Sequence, residues 1–175
     1  LVRNAADYAW FSQEPAEVAR YEGRKVLGYY GAIAEWFDSE LVAGLARALP
    51  ETMIVLIGDT HGGDLQPFEG LENIRLLGEI PYEQLTRHLY GFDVCLLPFR
   101  IDELTLATNP VKVYEYLSAG KPVVSAALPE VAALGELVYL ADSPAAWVAQ
   151  VREALGESPA RRGPRQAFAA RRGRP

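Results

Sequence analysis

Lys112 and Glu115 stand three residues apart in the run Thr108-Asn109-Pro110-Val111-Lys112-Val113-Tyr114-Glu115-Tyr116-Leu117-Ser118-Ala119-Gly120-Lys121-Pro122-Val123-Val124. At that spacing two side chains share one face of a helix. Pro110 predicts the first helical position, with Asn109 or Thr108 before it as cap. The pair then falls on the opening turns, where free backbone N–H groups attract anions. An ammonium beside that positive end suits a diphosphate, and a carboxylate one turn further in accepts hydrogen bonds from sugar hydroxyls. The combination points to a nucleotide, or to a nucleotide attached to a sugar. The competing reading is an exposed helical ion pair contributing a few tenths of a kcal/mol. The helix lies between the apolar runs Val94–Leu97 and Val123–Val124, however, and Val111, Val113, Tyr116 and Leu117 supply its core face. That aims Lys112 and Glu115 at the N-terminal mouth.

Other residue types offer less. Gly31 follows an apolar run where a nucleotide fold needs close backbone approach to phosphate, but taken alone it reads as a turn glycine. No GxGxxG and no GxxxxGK[ST] occurs in the chain, which removes the ordinary dinucleotide and P-loop readings. His61 reads as a surface loop histidine and His88 as a helix-surface one. Neither stands at metal-ligand spacing from a second histidine or a carboxylate, so no metal site is expected. Nothing marks a Ser or Cys nucleophile with an adjacent base. Asp59, Asp102 and Glu103 fall near the same edge without any being singled out as a general base, and Asp93 reads as the start of its strand. Cys95, the sole cysteine, lies inside Val94-Cys95-Leu96-Leu97 and reads as a buried thiol.

The elements that would position these groups alternate. Val26–Tyr30, Met53–Ile57, Asn73–Leu77, Asp93–Leu97, Pro122–Ala126 and Leu137–Leu140 read as short apolar strands. Helices are predicted over Asp38–Leu49, Tyr82–Tyr90, Pro110–Ala119 and Pro144–Leu155. Unbroken apolar strands separated by helices describe an α/β fold: a Rossmann-like, three-layer parallel sheet. Such sheets bind ligands beyond the carboxyl ends of their strands. The loops after Tyr30, Ile57, Leu77 and Leu97 and the start of the Pro110 helix fall on that edge. Residues 1–23 read as an interdomain lead-in segment, 24–156 as the Rossmann-like domain, and 157–175 as an arginine-rich disordered tail.

With 175 residues, 50% hydrophobic and 23% charged, the chain supports one substantial core. Its only methionine is Met53 and it opens on Leu1, which reads as a piece of something longer. Net charge is −6, yet residues 156–175 hold six arginines against Glu157, which leaves about −11 for the rest. An acidic body argues against nucleic-acid binding. The lone cysteine fits a reducing cytosol. No apolar stretch approaches the roughly 20 residues that span a bilayer, although the arginine-rich end could touch anionic lipid head groups.

Four stretches carry a resemblance: Val26–Trp36 with its glycine, Met53–Asp59, Asn73–Leu85 followed by Phe92–Pro98, and Asn109–Val124. The last is the most specific, reading Pro-x-Lys-x-x-Glu-Tyr-Leu-x-x-Gly-Lys-Pro-Val-Val. Over residues 24–155 the chain resembles the C-terminal, nucleotide-sugar-binding domain of retaining GT-B glycosyltransferases of bacterial polysaccharide and glycolipid synthesis. The resemblance implies that Glu115 binds the ribose hydroxyls. It places Lys112 and the backbone of Asn109, Pro110 and Val111 at the diphosphate, with Gly31 closing from the first loop. Ile80 and Pro81 would border the base, with Leu85 behind. The donor would be a UDP-, GDP- or dTDP-sugar, with no metal or other cofactor. The acceptor would bind an N-terminal domain of the full-length protein, which would be cytoplasmic, with peripheral contact at the inner face of the membrane. The chain departs from the family at Ala107, where many members carry a second glutamate at the sugar pocket, and its tail shows no closing helix. Two other readings share this architecture: a non-catalytic nucleotide-sugar-binding module and a nucleotide-sugar epimerase.

Overall fold

Two fully buried five-residue runs, Val26–Tyr30 (β1) and Met53–Ile57 (β2), pair inside a sheet. The computed structural model describes residues 6–107 and 110–173. Four further strands, Ile74–Leu76 (β3), Val94–Leu97 (β4), Val123–Ala126 (β5) and Tyr139–Ala141 (β6), complete an all-parallel sheet in the order β3-β2-β1-β4-β5-β6. β1 pairs with β2 from Val26↔Met53 to Tyr30↔Ile57, but with β4 only at Leu27↔Val94 and Gly28↔Cys95. The carboxyl ends of β1 and β4 therefore part, at the point where the winding of the sheet reverses. Ligand crevices form at such points.

The helices are Tyr8–Phe11 (α1), Ser39–Ala48 (α2), Leu85–Leu89 (α3), Glu103–Leu106 (α4), Val111–Ser118 (α5), Pro129–Ala132 (α6), Pro144–Leu155 (α7) and Arg162–Arg172 (α8). Asp38 caps α2 by accepting from Leu41 N at 3.1 Å, and Ser143 caps α7 by accepting from Ala146 N at 3.2 Å, with Pro144 as the first helical residue. α2 packs on α7, and α5 packs on α1 and α8. Trp147, Val151 and Ala154 of α7 are buried at helical spacing.

The sheet and its central helices follow the sequence reading, and three features do not. Leu137 lies in a 3₁₀ turn, so β6 starts two residues later, at Tyr139. His88 is not a free surface side chain, because Tyr21 Oη lies 2.6 Å from its Nδ1. The arginine-rich end is folded as α8. Its Arg165 is 1% exposed and binds Glu157 through both nitrogens, Nη1 to Oε1 and Nη2 to Oε2, while its Nε donates to Leu137 O at 3.1 Å. Composition reads arginine as solvent-seeking, whereas a guanidinium whose donors are all matched can be buried. No helix among the described residues is long and apolar enough to cross a membrane.

Candidate nucleotide site at the parting of β1 and β4

Glycines fit the loops beyond β1, β2 and β3 closely together. Gly31 and Gly58 have φ of +136° and +144°, and a Cβ on Gly58 would lie 1.9 Å from Gly31 O. Gly31 N donates to Ile57 O and Ile33 N to Asp59 O, both at 2.8 Å, and Gly58 N donates to Gly78 O at 2.9 Å. Backbone approach this close, at φ values that L side chains rarely adopt, admits only glycine. A Cβ on Gly31 would in turn meet Lys112 Cε and Nζ at 2.8 Å. The missing side chain is what lets the lysine cross the first loop.

α5 begins one residue later than the sequence predicts. Pro110 has an extended backbone (φ −74°, ψ 105°) and precedes the helix, which opens on Val111. The ring holds φ near the helical value, but no backbone hydrogen bond depends on the proline nitrogen. Thr108 and Asn109 lie outside the described residues. Lys112 Nζ stands 5.4 Å from the Tyr29 ring centroid and 5.5 Å from that of Phe99. Tyr29 is locked by its hydroxyl, which donates to Ala32 O at 2.8 Å, and by its edge-to-face contact with Phe99. The Lys112 ammonium makes no hydrogen bond or ion pair with the described residues. Burial pushes its ammonium pKa down, partly opposed by the charge of Glu115. A cation held on aromatic faces, with its donors unused, is available to an anion. A cavity of about 310 Å³ adjoins it, lined by Trp36, Phe99, Leu104, Thr105, Pro110 and Lys112.

Glu115 points elsewhere. Tyr30, the last residue of β1, donates its hydroxyl to Glu115 Oε2 at 2.6 Å. Its ring packs edge-to-face on Tyr116, with centroids 5.2 Å apart. The Tyr116 hydroxyl makes long contacts of 3.5 Å to Tyr30 N and Leu96 O, filling the gap where the two strands part. Burial raises the Glu115 pKa, and the Tyr30 hydrogen bond and the Lys112 charge act against that rise. Tyr82, 50% exposed at the turn after Pro81, sits in the same field: burial and then the charges of Glu115 and Asp7 raise its phenol. Its ring meets Phe11 edge-to-face at 5.8 Å. Ile80 is half-buried and Pro81 exposed beside it, with Leu85 half-buried behind.

The structure thus brings Gly31, Lys112 and Glu115 to one edge, with Ile80 and Pro81 on the loop beyond β3. It does not pair Lys112 with Glu115. Asp102 does not reach into the site, since it caps α4 by accepting from Thr105 N at 2.8 Å, and Ala107 ends that helix as an exposed residue. Sequence reasoning missed Tyr29, Tyr30, Phe99 and Tyr82. The available signal was Tyr29-Tyr30-Gly31, polar-tipped aromatics at a strand end on the ligand edge. Among the described residues no group of three or more His, Cys, Asp or Glu could hold a metal. A larger cavity of about 500 Å³ between α2 and α7 carries Asp38, Glu40 and Asp142 and no cation, which suits a diphosphate poorly.

The strand order, the parted β1/β4 edge and the interlocked glycines define a Rossmann-type domain of the GT-B kind. The model of the family "Glycosyl transferases group 1" matches residues 24–157, and the chain belongs to that family. It is 27% identical over 168 residues to TuaH of Bacillus subtilis (strain 168), named as a candidate teichuronic acid biosynthesis glycosyltransferase, covering 90% of this chain and 42% of TuaH. Among solved structures it resembles Anabaena Alr3699/HepE in complex with UDP and glucose (TM-score 0.77, 17% identity), covering 97% of this chain and 51% of that one. It also resembles WaaG, a glycosyltransferase involved in lipopolysaccharide biosynthesis (TM-score 0.62, 17% identity, 86% and 44%). The chain therefore spans about half the length of the proteins it matches.

Proposed function

We propose that this chain is the donor-binding domain of a retaining hexosyltransferase that moves a sugar from a nucleoside-diphosphate sugar to a glycan or lipid-linked acceptor. The observation that carries the reading is the placement of Lys112 and Glu115. Both stand on the first turns of α5 at the β1/β4 edge, one on an aromatic bed and one hydrogen-bonded to Tyr30. Lys112, Gly31 and the backbone at Asn109, Pro110 and Val111 receive the diphosphate, Glu115 the ribose diol, and Ile80 and Pro81 border the base. HepE structures with UDP and glucose and with UDP-glucose support a nucleotide-sugar ligand for this fold.

Lys112 and the start of α5 stabilise the departing nucleoside diphosphate as negative charge develops on it, a role that needs no metal. The acceptor and any catalytic base belong to an N-terminal domain, so this chain alone binds nucleotide and transfers nothing. Cytoplasmic placement, with peripheral membrane contact, belongs to the same proposal. Calorimetric titration with UDP, GDP and dTDP, in buffer and with EDTA, tests it. One of the three should bind in both conditions, and Glu115→Ala should weaken that binding. Failure of all three to bind refutes the donor site, and with it the reading of a nucleotide-sugar-binding module without catalysis.

A further inference from the structure

Glu115 is a half-buried carboxylate whose two oxygens are treated differently. Oε2 accepts from Tyr30 Oη, whereas Oε1 has no hydrogen-bond partner among the described residues. Ser39 Oγ is the one buried side-chain N or O atom found unpartnered among them, so Oε1 is not fully enclosed. Tyr30 itself has no freedom: it is 5% exposed, its backbone belongs to β1 across its whole pairing with β2, and its ring is fixed edge-to-face on Tyr116.

We infer that Tyr30 is a positioning residue for the donor, holding Glu115 in one rotamer with Oε1 presented to a ribose diol. The inference rests on the assignment of the ribose to Glu115. A vicinal diol needs a carboxylate that only accepts, because a protonated carboxyl uses one oxygen as a donor. Burial works against that ionised state and the phenol hydrogen bond works for it. The other groups facing Glu115 are Lys112 on its own helix, Tyr116 beside it, and Tyr82 from the turn after β3, which has Asp7 beyond it. Of these, Tyr30 is the one that hydrogen-bonds the carboxylate.

Tyr30→Phe removes the hydroxyl and keeps the ring on Tyr116, so the thermal transition should fall by only a few degrees, the cost of one lost hydrogen bond, and the variant should stay folded. Affinity for UDP should fall about tenfold at neutral pH, as expected for one hydrogen bond to a charged group. The acid limb of UDP affinity against pH should move to higher pH, because the carboxyl loses a group that keeps its pKa down. Discrimination between UDP and 2′,3′-dideoxy-UDP should shrink in the same variant. A role confined to packing would move neither the limb nor the discrimination. If Glu115→Gln weakens UDP binding while Tyr30→Phe leaves affinity, limb and discrimination at wild-type values, the positioning role is overturned and the ribose assignment stands. If Glu115→Gln also binds UDP like the wild type, or the wild type binds none of UDP, GDP and dTDP, the ribose assignment itself fails; if GDP binds in place of UDP, the same series is read with GDP.

Discussion

The most exacting test of the fold lies at the arginine-rich end. Arg165 is 1% exposed, and its guanidinium is matched by both Glu157 oxygens, by Leu137 O and, more distantly, by Gly120 O at 3.4 Å. Tyr139 donates to Glu157 Oε2 at 2.6 Å, and Arg161 donates to Tyr139 Oη at 2.8 Å. Glu157→Gln keeps the shape but leaves a buried cation unpaired and turns an amide N–H₂ toward another donor. Removing one partner of a buried pair costs about 3–5 kcal/mol. The Glu157 side chain keeps 12% exposure, so the lower end, about 3 kcal/mol, is expected. For a chain of this size that corresponds to a fall of roughly 6–12 °C in Tm. Urea unfolding gives the free energy and hydrogen exchange reports the protection of α8 amides. Glu157→Leu with Arg165→Met should recover most of the loss, since an apolar pair avoids the desolvation cost.

The same test has a pH signature. Burial alone would raise the Glu157 carboxyl, but hydrogen bonds from Arg165 and Tyr139 and the charges of Arg165 and Arg161 hold it below its ordinary value. A depressed folded pKa adds stability above the unfolded value, near 4.3, and that stability is lost as pH falls through the folded one. Wild type and Glu157→Gln should therefore differ fully at neutral pH, begin to converge as pH falls below about 4.3, and converge fully only below the depressed folded value. A Tm difference under about 2 °C at pH 7, with α8 amides exchanging like free chain, would show that residues 157–173 are the solvated tail that composition suggests.

Two further outcomes follow from the site. Lys112→Met keeps an apolar stem on Tyr29 and Phe99 but removes the charge, so UDP affinity should fall roughly ten- to a hundredfold while uridine affinity stays level, as read by calorimetry. Gly58→Ala would place a Cβ 1.9 Å from Gly31 O and should lower Tm and abolish UDP binding together, whereas Gly62→Ala, at φ +81° with nothing within 4 Å, should cost only about 1–2 kcal/mol of backbone strain and leave UDP binding intact.

The sheet was legible because its strands are covered on both faces and so appear as unbroken apolar runs, Met53–Ile57 above all. α7 was legible to the residue because Ser143 and Pro144 mark its start. β6 slipped because Leu137 and Val138 continue the apolar run while the backbone is still turning. α1, α4 and α6 have four residues each, too few for a period to show. Of the site, one sequence run displayed Lys112 and Glu115 together. Their partners Tyr29, Tyr30 and Phe99 come from β1 and the end of β4, and only the strand order makes them neighbours.

The arginine-rich segment and the candidate nucleotide site lie at opposite ends of α5. α5 stops at Gly120, whose φ of +73° ends the helix, and the last carbonyls face α8. Arg165 Nη1 reaches Gly120 O at 3.4 Å, Gln166 Nε2 reaches Ser118 O at 3.3 Å, and a Cβ on Gly120 would meet Arg162 Cγ at 2.3 Å. Cationic and N–H donors at a helix C-terminus offset its negative pole, worth roughly 0.3–1 kcal/mol and up to about 2 when partly buried. The positive pole of α5 at Val111 is left for a ligand. α8 thus packs on α5 at the end opposite Lys112 and Glu115. Loss of the Arg165–Glu157 pair should weaken UDP binding as well as the fold, even though neither residue lies at the parting of β1 and β4.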